Sequence, residues 1–140
     1  MKNEIQINNI KFWVDQNIIY CKFYNDFDKN YFHDGFEDIF YEAISILSNG
    51  TYLPVIFDLR GLKSLVLVKL FKLLSNSSKL EKTVLSKVFL IESQKRKIIL
   101  SFYLMFRDTN VPNLIFMESD LAIKYSNHNY ALFNSLSYDH

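Results

Sequence analysis

Asp58 and Arg60 are the two residues in this chain whose types and spacing most readily suggest chemistry. They end an apolar run that begins at Pro54, and Gly61 follows them directly. Residues two apart on an extended strand project to the same side, and open α/β sheets bind their ligands at the carboxyl ends of the strands. The pair predicts a site for a small polar ligand or a partner contact. The purely structural alternative is that Asp58 caps the turn and Arg60 pairs with a neighbouring carboxylate.

The remaining chemistry-bearing residues do not form a recognisable site. His33 beside Asp34 resembles a general-base pair, but a base needs a substrate or nucleophile within reach, so we interpret His33 as a loop residue. Cys21 is the single cysteine, which rules out an intrachain disulfide, and we expect it to be a small buried hydrophobe. His128 and His140 have no second metal ligand at helical spacing, and no glycine-rich phosphate loop occurs. We therefore expect no catalytic residue, no metal and no cofactor.

Length and composition favour one cytoplasmic domain. The 140 residues, 49% of them hydrophobic, suffice to bury a conventional core. Residues 1–6 lack the continuous apolar core of a signal peptide. The longest apolar stretch, residues 98–106, is shorter than the roughly 20 residues that span a bilayer. The single cysteine is also typical of a reducing compartment.

A regular alternation of strand and helix patterns supplies the elements that must position these residues. Two aromatic and β-branched runs around the turn formers at 15–17 predict a β-hairpin over residues 10–24. Asp34 and Glu37 match a capping box, apolar residues follow at helical spacing, and Asn49-Gly50 is typical of a helix end. The further predictions are a strand over 52–59, a helix over 65–74, a strand over 87–92, a helix over 94–106, a strand over 114–117 and a helix from 121 to about 130.

This order predicts an α/β fold of one domain, with a mixed, mostly parallel five-stranded sheet and about four helices. Strands joined by helix-length connections lie parallel, whereas the N-terminal β-hairpin adds an antiparallel strand. The domain is assigned to residues 1–133. Residues 134–140 are expected to form a flexible C-terminal tail.

A family resemblance is carried by the hairpin residues Lys11-Phe-Trp-Val14 and Ile19-Tyr-Cys-Lys-Phe23, the helix after them, and the run Val55-Ile-Phe-Asp-Leu-Arg-Gly-Leu62. With this order of elements the chain resembles the STAS domains of bacterial anti-sigma-factor antagonists and the small STAS-like proteins related to them. The resemblance implies a regulatory protein-interaction domain. STAS-like domains also resemble CRAL-TRIO-type lipid-binding domains, which keeps an apolar ligand open as the alternative.

The chain departs from this family at the residue that carries its regulation. STAS antagonists typically have an Asp-Ser pair at the start of the helix after this strand, and that serine is phosphorylated. The corresponding positions here hold Val66 and Leu67, and the nearby Ser64 follows Lys63 rather than an acid. We therefore expect no phosphorylation switch of the usual kind.

Two predicted helices are more apolar than the covering of one sheet face requires. Lys69 and Lys72 are the charged positions within residues 65–74, and residues 98–106, which include Phe102 and Phe106, contain only Ser101 as a small polar residue. Either these helices shield one another against the sheet, or a subunit, a partner or a ligand covers them.

Positive charge is concentrated around the same helices. Residues 61–107 contain ten Lys and Arg but only two acids, whereas the flanking segments are acidic. Either the segments of opposite sign lie side by side in the fold, or the basic segment meets an acidic protein or a membrane surface. Nucleic acid is not expected, because no recognition helix or stacking motif occurs. The basic residues beside the helices are Lys63, Lys79, Lys82, Lys87, Lys95, Arg96 and Lys97.

The sequence thus predicts a non-enzymatic regulatory or protein-interaction domain that acts through its helical face and the loop after Asp58. Its partner is a protein, with a homodimer as one arrangement, or a lipid or membrane surface. The alternative is a binder of an apolar or lipid-like small molecule, and a third hypothesis is an enzyme built on Asp58, Arg60 and His33. The predicted binding residues are Asp58, Arg60, Gly61, Ser64, Lys69, Lys72, Phe102 and Phe106.

Overall fold

The computed structural model shows a six-stranded sheet with helices on both faces. It describes residues 3–24, 27, 32 and 34–138, and of residues 137 and 138 it describes the backbone only. The strands are β1 (Glu4–Ile7), β2 (Ile10–Asp15), β3 (Ile18–Phe23), β4 (Leu53–Asp58), β5 (Val84–Leu90) and β6 (Asn113–Phe116). The helices are α1 (Phe36–Ser48), α2 (Ser64–Asn76), α3 (Ser78–Glu81), α4 (Gln94–Met105) and α5 (Ser119–Tyr138).

The strands lie in the sheet in the order of the chain, β1 to β6. The β1–β2 and β2–β3 pairs are antiparallel, and the three pairs from β3 to β6 are parallel. The predicted hairpin is confirmed, and its turn residues Gln16 and Asn17 both have positive φ, as a two-residue hairpin turn of the right twist requires. The predicted α/β class with a mixed, mostly parallel sheet is therefore confirmed.

The element count differs from the prediction by one strand and one helix. The prediction of five strands missed β1, which pairs with β2 from Glu4 opposite Trp13 to Ile7 opposite Ile10. The prediction of four helices missed α3, a single turn that begins where the Ser77 hydroxyl accepts a hydrogen bond from the Leu80 N–H. Both elements are four residues long, which is too short for a periodic pattern to be recognised.

Two predicted helix ends are also wrong. The N-cap of α1 is Gly35, in the left-handed region, rather than the predicted Asp34. The last helix reaches Tyr138 rather than ending near residue 130, so residues 134–138, which the sequence assigned to a tail, are helical. The predicted C-terminal end of α1 is confirmed, with Asn49 as a left-handed cap.

The main core lies between the sheet and the helices α1, α2 and α4. It contains many aromatic rings in edge or tilted contact. The ring centres of Phe40 and Phe12 are 5.7 Å apart, and those of Phe71 and Phe89 are 4.7 Å apart. Such contacts add to the free energy gained by burying the ring surfaces. Leu100 is the one buried residue of α4. This face of the sheet is therefore well covered by α1 and α2 but only partly by α4.

The opposite face of the sheet is covered by α5 alone. The buried residues of this second cluster are Ile18, Ile56, Val88, Leu90 and Ala122. The helix starts at the carboxyl ends of the parallel strands, where Ser119 follows β6, and runs back across the sheet until Phe133 contacts Tyr52 just before β4. Because one helix cannot cover six strands, the surface of β2 and β3 beside α5 is partly exposed.

Candidate functional site

A cleft opens on the α5 face, at the carboxyl ends of β3, β4 and β5. The register places Trp13, Tyr20 and Ile56 in one row across this face and Lys22, Asp58 and Leu90 in the next. The N-terminal turn of α5 forms the opposite wall. The cleft has a volume of about 230 Å³. It is lined by Trp13, Tyr20, Cys21, Lys22, Ile56, Asp58, Arg60, Leu90, Ser119 and Ile123.

Asp58 and Arg60 form a two-pronged ion pair at the rim of this cleft. Arg60 Nε donates to Asp58 Oδ1 and Arg60 Nη2 donates to Asp58 Oδ2, both at 2.9 Å. The Arg60 backbone N–H also donates to Oδ1 at 3.1 Å. Gly61 follows with φ at +86°, a conformation that glycine adopts without strain, so the chain turns here. Asp58 thus caps the turn, and the carboxylate that Arg60 pairs with is Asp58 itself.

Two opposing influences act on the carboxyl of Asp58. Burial raises its pKa, but the hydrogen bonds from Arg60 and the charges of Arg60 and Lys22 lower it, and the net shift is downward. Lys22 Nζ lies 3.9 Å from Asp58 Oδ2. A carboxylate with a lowered pKa is a weak base, so the arrangement favours a structural or binding role for Asp58 over a catalytic one.

Cys21, the candidate nucleophile, does not offer a reactive thiol to the cleft. The Cys21 side chain is fully buried, and its strand partners are Phe12 and Phe57 of the main core. Burial, with a smaller contribution from Asp58, raises the pKa of this thiol well above 9.0, which disfavours the reactive thiolate. His33 and His140 lie outside the described residues. His128 is exposed on α5.

A second candidate surface is the outer face of α4. Phe102 and Phe106, both predicted binding residues, expose 58% and 82% of their surface. With their neighbours they form an apolar stripe at helical spacing, which we call the α4 stripe. Its members are Ile98, Ile99, Phe102, Met105 and Phe106, each between 48% and 82% exposed. Of the two alternatives, mutual shielding of α2 and α4 does not hold for this side of α4.

The loop after Asp58 is tied to the N-terminal end of α4 by Arg96. The Arg96 guanidinium donates to the Leu62 carbonyl oxygen at 3.1 Å and to the Ser64 hydroxyl at 2.9 Å. It also pairs with Glu92 at 3.0 Å. These bonds join the loop, the first turn of α2 and the start of α4 into one surface, where Leu65 is also exposed. A small groove of about 80 Å³ lies between α2 and α4.

The predicted residues Lys69 and Lys72 are exposed on α2 and pack against aromatic rings. Lys72 Nζ lies 5.3 Å from the centre of the Tyr103 ring, and Arg107 lies 4.6 Å from the centre of the same ring. Lys69 Nζ lies 6.0 Å from the ring of Phe32. Such cation–π contacts are weak at exposed sites, so both lysines remain available to a partner at the surface of α2.

The structure thus separates the predicted binding residues into two groups. Asp58 and Arg60 lie at the cleft on the α5 face. Ser64, Lys69, Lys72, Phe102 and Phe106 lie on or beside the surface of α2 and α4, and Gly61 lies in the loop between the two groups. The sequence did not identify Trp13, Tyr20 and Lys22 as cleft residues, because their approach to Asp58 depends on strand pairing. Their alternation along β2 and β3 was the available signal.

Two basic residues that the sequence placed beside the helices have other roles. Lys87 is fully buried on β5 and donates to the carbonyl oxygens of Ser75 and Ser77, so it is not part of a basic surface. Lys79 pairs with Asp38 of α1. At this point the basic segment lies beside the acidic N-terminal segment of the chain, so part of its positive charge is paired within the fold.

Comparison with known proteins adds no further information on the site. No family model, no curated protein and no solved structure matches the chain. Within the part of the chain that the structure describes, no group of three His, Cys, Asp or Glu side chains could hold a metal ion. None of the helices described is long and apolar enough to cross a membrane. The fold and the two surfaces are therefore the basis for a functional proposal.

Proposed function

We propose that this chain is a non-enzymatic, STAS-like binding module that docks a protein partner through the α4 stripe. The observation that carries the proposal is the position of this stripe on the fold. The side of α4 that faces the core buries Leu100 and partly buries Tyr103 and Leu104, yet the outer side is also apolar. An exposed apolar patch of contiguous large side chains is typical of an interaction site.

The composition of the stripe suits a protein interface. Aromatic residues and Met are enriched at the centres of interfaces, and Phe102, Met105 and Phe106 are all more than half exposed. The groove between α2 and α4 adds a concave feature next to the stripe. It is lined by Ser64, Leu67, Val68, Arg96, Ile99 and Leu100. An apolar side chain of a partner can enter such a groove.

The charges around the stripe favour a partner with an acidic rim. Cations lie on or directly after the two helices, whereas the acids next to α4 in the chain are Glu92, which is paired with Arg96, and Asp108. In a face-to-face homodimer about a two-fold axis, the same cations would meet one another, which is unfavourable. We therefore favour a different protein over a second copy. These cations include Lys72 on α2, Lys95 and Lys97 on α4, and Arg107 directly after α4.

The lipid alternative has weaker support. The groove of about 80 Å³ between α2 and α4 is smaller than the 150 Å³ or so of an engineered cavity that holds benzene, so it does not accommodate an acyl chain. A membrane surface would use the same exposed aromatic residues and lysines. It would not need the groove, and for this reason we treat membrane binding as an outcome that the experiment must distinguish.

Co-purification with matched variants tests the proposal. The test variant carries Phe102→Asp and Phe106→Asp, and the control variant carries Leu132→Asp and Leu136→Asp, two exposed apolar residues of α5. Each protein is used to capture partners from its native extract, and the complexes are analysed by native mass spectrometry. We expect the wild-type and control proteins to form a defined complex with a partner, and we expect the α4 variant not to form it.

Three results would contradict this proposal. A complex that the α4 variant retains would place the interface elsewhere. A complex of two copies of the chain would make the stripe a homodimer interface. Binding of the purified protein to vesicles containing anionic lipid, abolished in the α4 variant and without any protein complex, would identify a membrane-surface module.

A further inference from the structure

The cleft on the α5 face has the dimensions and lining of a small-molecule site. Its volume of about 230 Å³ exceeds the roughly 150 Å³ of an engineered cavity that binds benzene. It is smaller than the 300–1,000 Å³ or so that drug-sized ligands occupy. The size therefore fits a molecule with one ring, or a short branched chain, and one polar group.

Apolar and aromatic side chains form most of the lining. Ile56, Leu90 and Ile123 form the inner surface, between the sheet and α5. Tyr20 and Trp13 extend it as two stacked rings, with their centroids 5.2 Å apart and an interplanar angle of 9°. A planar or branched apolar group is the kind of molecule that such a surface binds.

The polar rim of the cleft offers donors with positive charge. Both oxygens of Asp58 are occupied by Arg60, so the carboxylate has little capacity left to accept further hydrogen bonds. Arg60 uses two of its five side-chain N–H groups in this pair. Lys22 Nζ is 3.9 Å from Asp58, beyond hydrogen-bond distance, and its side chain is 43% exposed. The rim thus presents unused N–H donors.

The net charge of the rim favours a ligand that carries a single negative charge. Among the residues that line the cleft, Arg60 and Lys22 are cations and Asp58 is an anion, so the lining carries one net positive charge. Glu92, whose charge also acts on Arg60, lies outside the lining and is paired with Arg96. A singly charged carboxylate balances this charge and matches the donor fork of an arginine. The hydroxyl-bearing Ser119, at the start of α5, completes the wall beside the rim.

We propose that this cleft binds a small organic monocarboxylate with an aromatic or branched apolar body. The carboxylate lies against Arg60 and Lys22, and the apolar body lies on Tyr20, Trp13 and Ile56. The site is independent of the docking surface, because the cleft and the α4 stripe lie on opposite faces of the sheet.

The single tryptophan of the chain, Trp13, provides the measurement. Because Trp13 lines the cleft, its fluorescence reports directly on a ligand there. The probes are benzoate, phenylacetate and 3-methylbutyrate, with phenylacetamide as the neutral analogue and acetate as the analogue without an apolar body. We expect saturable binding of at least one apolar carboxylate. The affinity for its neutral or truncated analogue should be at least about tenfold lower, which corresponds to about 1.4 kcal/mol of binding free energy.

Two variants locate the binding. Arg60→Gln is expected to weaken carboxylate binding about tenfold, as loss of a charge-assisted hydrogen bond does. Lys63→Gln, an exposed cation of the same loop that does not line the cleft, is expected to leave the affinity unchanged. Thermal melting of both variants verifies that they are folded. Phe102→Asp is expected to bind the carboxylate as the wild type does, which separates this result from that of the docking proposal.

Several results would overturn the assignment. One is the absence of saturation by all three carboxylates up to about 10 mM. Another is equal affinity for phenylacetate and phenylacetamide, which would show that the positive rim contributes nothing. A third is unchanged carboxylate binding by a folded Arg60→Gln protein, which would place the ligand outside this cleft.

Discussion

Lys87 Nζ donates a hydrogen bond of 3.1 Å to the carbonyl oxygen of Ser75, at the C-terminal end of α2. It also donates to the carbonyl oxygen of Ser77 at 3.2 Å and lies 3.8 Å from the carboxylate of Glu81. Cations are favourable at this end of a helix because its carbonyl groups carry partial negative charge. The buried lysine thus joins the middle of the sheet to the segment between α2 and α3.

The first prediction concerns the pH dependence of stability that Lys87 causes. Burial lowers the pKa of Lys87 from 10.5 to about 8, although the charge of Glu81 opposes this shift. Between these two values the unfolded chain holds a proton that the folded chain has lost, so rising pH favours folding. The free energy of unfolding of the wild type, relative to Lys87→Met, should therefore rise by up to about 3 kcal/mol between pH 8 and 10.5.

Urea denaturation of the two proteins at several pH values measures this difference. Groups common to both proteins, such as Cys21 and Tyr20, cancel in the comparison. Lys82→Met, which removes an exposed lysine of the same segment, serves as the control and should show no such rise. A constant difference between the wild type and Lys87→Met across this range would contradict the assignment.

The second prediction concerns the ion pair at the cleft. Asp58→Asn removes the charge that Arg60 binds in two-pronged fashion, and we expect a loss of about 1–2 kcal/mol of stability at neutral pH. The pKa of Asp58 is lowered in the folded state. Its contribution is therefore present above the unfolded pKa, near about 4, and is lost as the pH falls through the lower folded value.

Denaturation of the wild type and Asp58→Asn between neutral and acidic pH tests this prediction. The two proteins should differ by a constant amount above about pH 5 and converge at lower pH. Asp15→Asn, in the exposed hairpin turn, is the control. A variant as stable as the wild type at pH 7 would show that the pair does not stabilise the turn.

The third prediction concerns Cys21. Its thiol is fully buried and its pKa is raised by burial, so the native protein should react with a disulfide reagent only when it unfolds. At pH 8 we expect labelling at least about 10³-fold slower than in urea, as opening of the core requires. Rapid labelling of the native protein would mean that β3 opens locally.

The fourth prediction separates the two sides of α4. Phe102 is 58% exposed, whereas Leu100 is 3% exposed. Phe102→Asp should change the free energy of unfolding by less than about 1 kcal/mol, but Leu100→Asp should destabilise by more than about 4 kcal/mol, because it buries an unpaired charge. Thermal melting of the wild type and of both variants measures these two changes in stability. Equal destabilisation by both changes would show that the α4 stripe belongs to the core.

The hairpin, β4 and the alternation of strands and helices were predictable because their signals are local. Turn formers between two β-branched runs and apolar residues at helical spacing depend on neighbouring residues only. The strand β1 alternates Glu4-Ile-Gln-Ile7, but over four residues this pattern is too short to be distinguished from chance. Local patterning also predicted the apolar excess of α4, whose outer side the structure leaves exposed.

The sequence predicted a site at Asp58 and Arg60, which line the cleft, but the other walls of the cleft and the buried lysine could not be predicted in this way. Trp13 and Asp58 are 45 positions apart in the chain, and only the pairing of β2, β3 and β4 brings them to one surface. The burial of Lys87 depends on the backbone carbonyl groups of Ser75 and Ser77, which a residue pattern does not represent. Both features arise from tertiary packing rather than from local propensity.

Site-specific photo-crosslinking tests the docking proposal most directly. A photoreactive phenylalanine analogue replaces Phe106, the most exposed member of the α4 stripe, or, as a control, Leu136 on α5. If α4 is the docking surface, illumination in the native cell links position 106, but not position 136, to one other protein. No adduct at position 106, or the same adducts at both positions, would contradict the proposal.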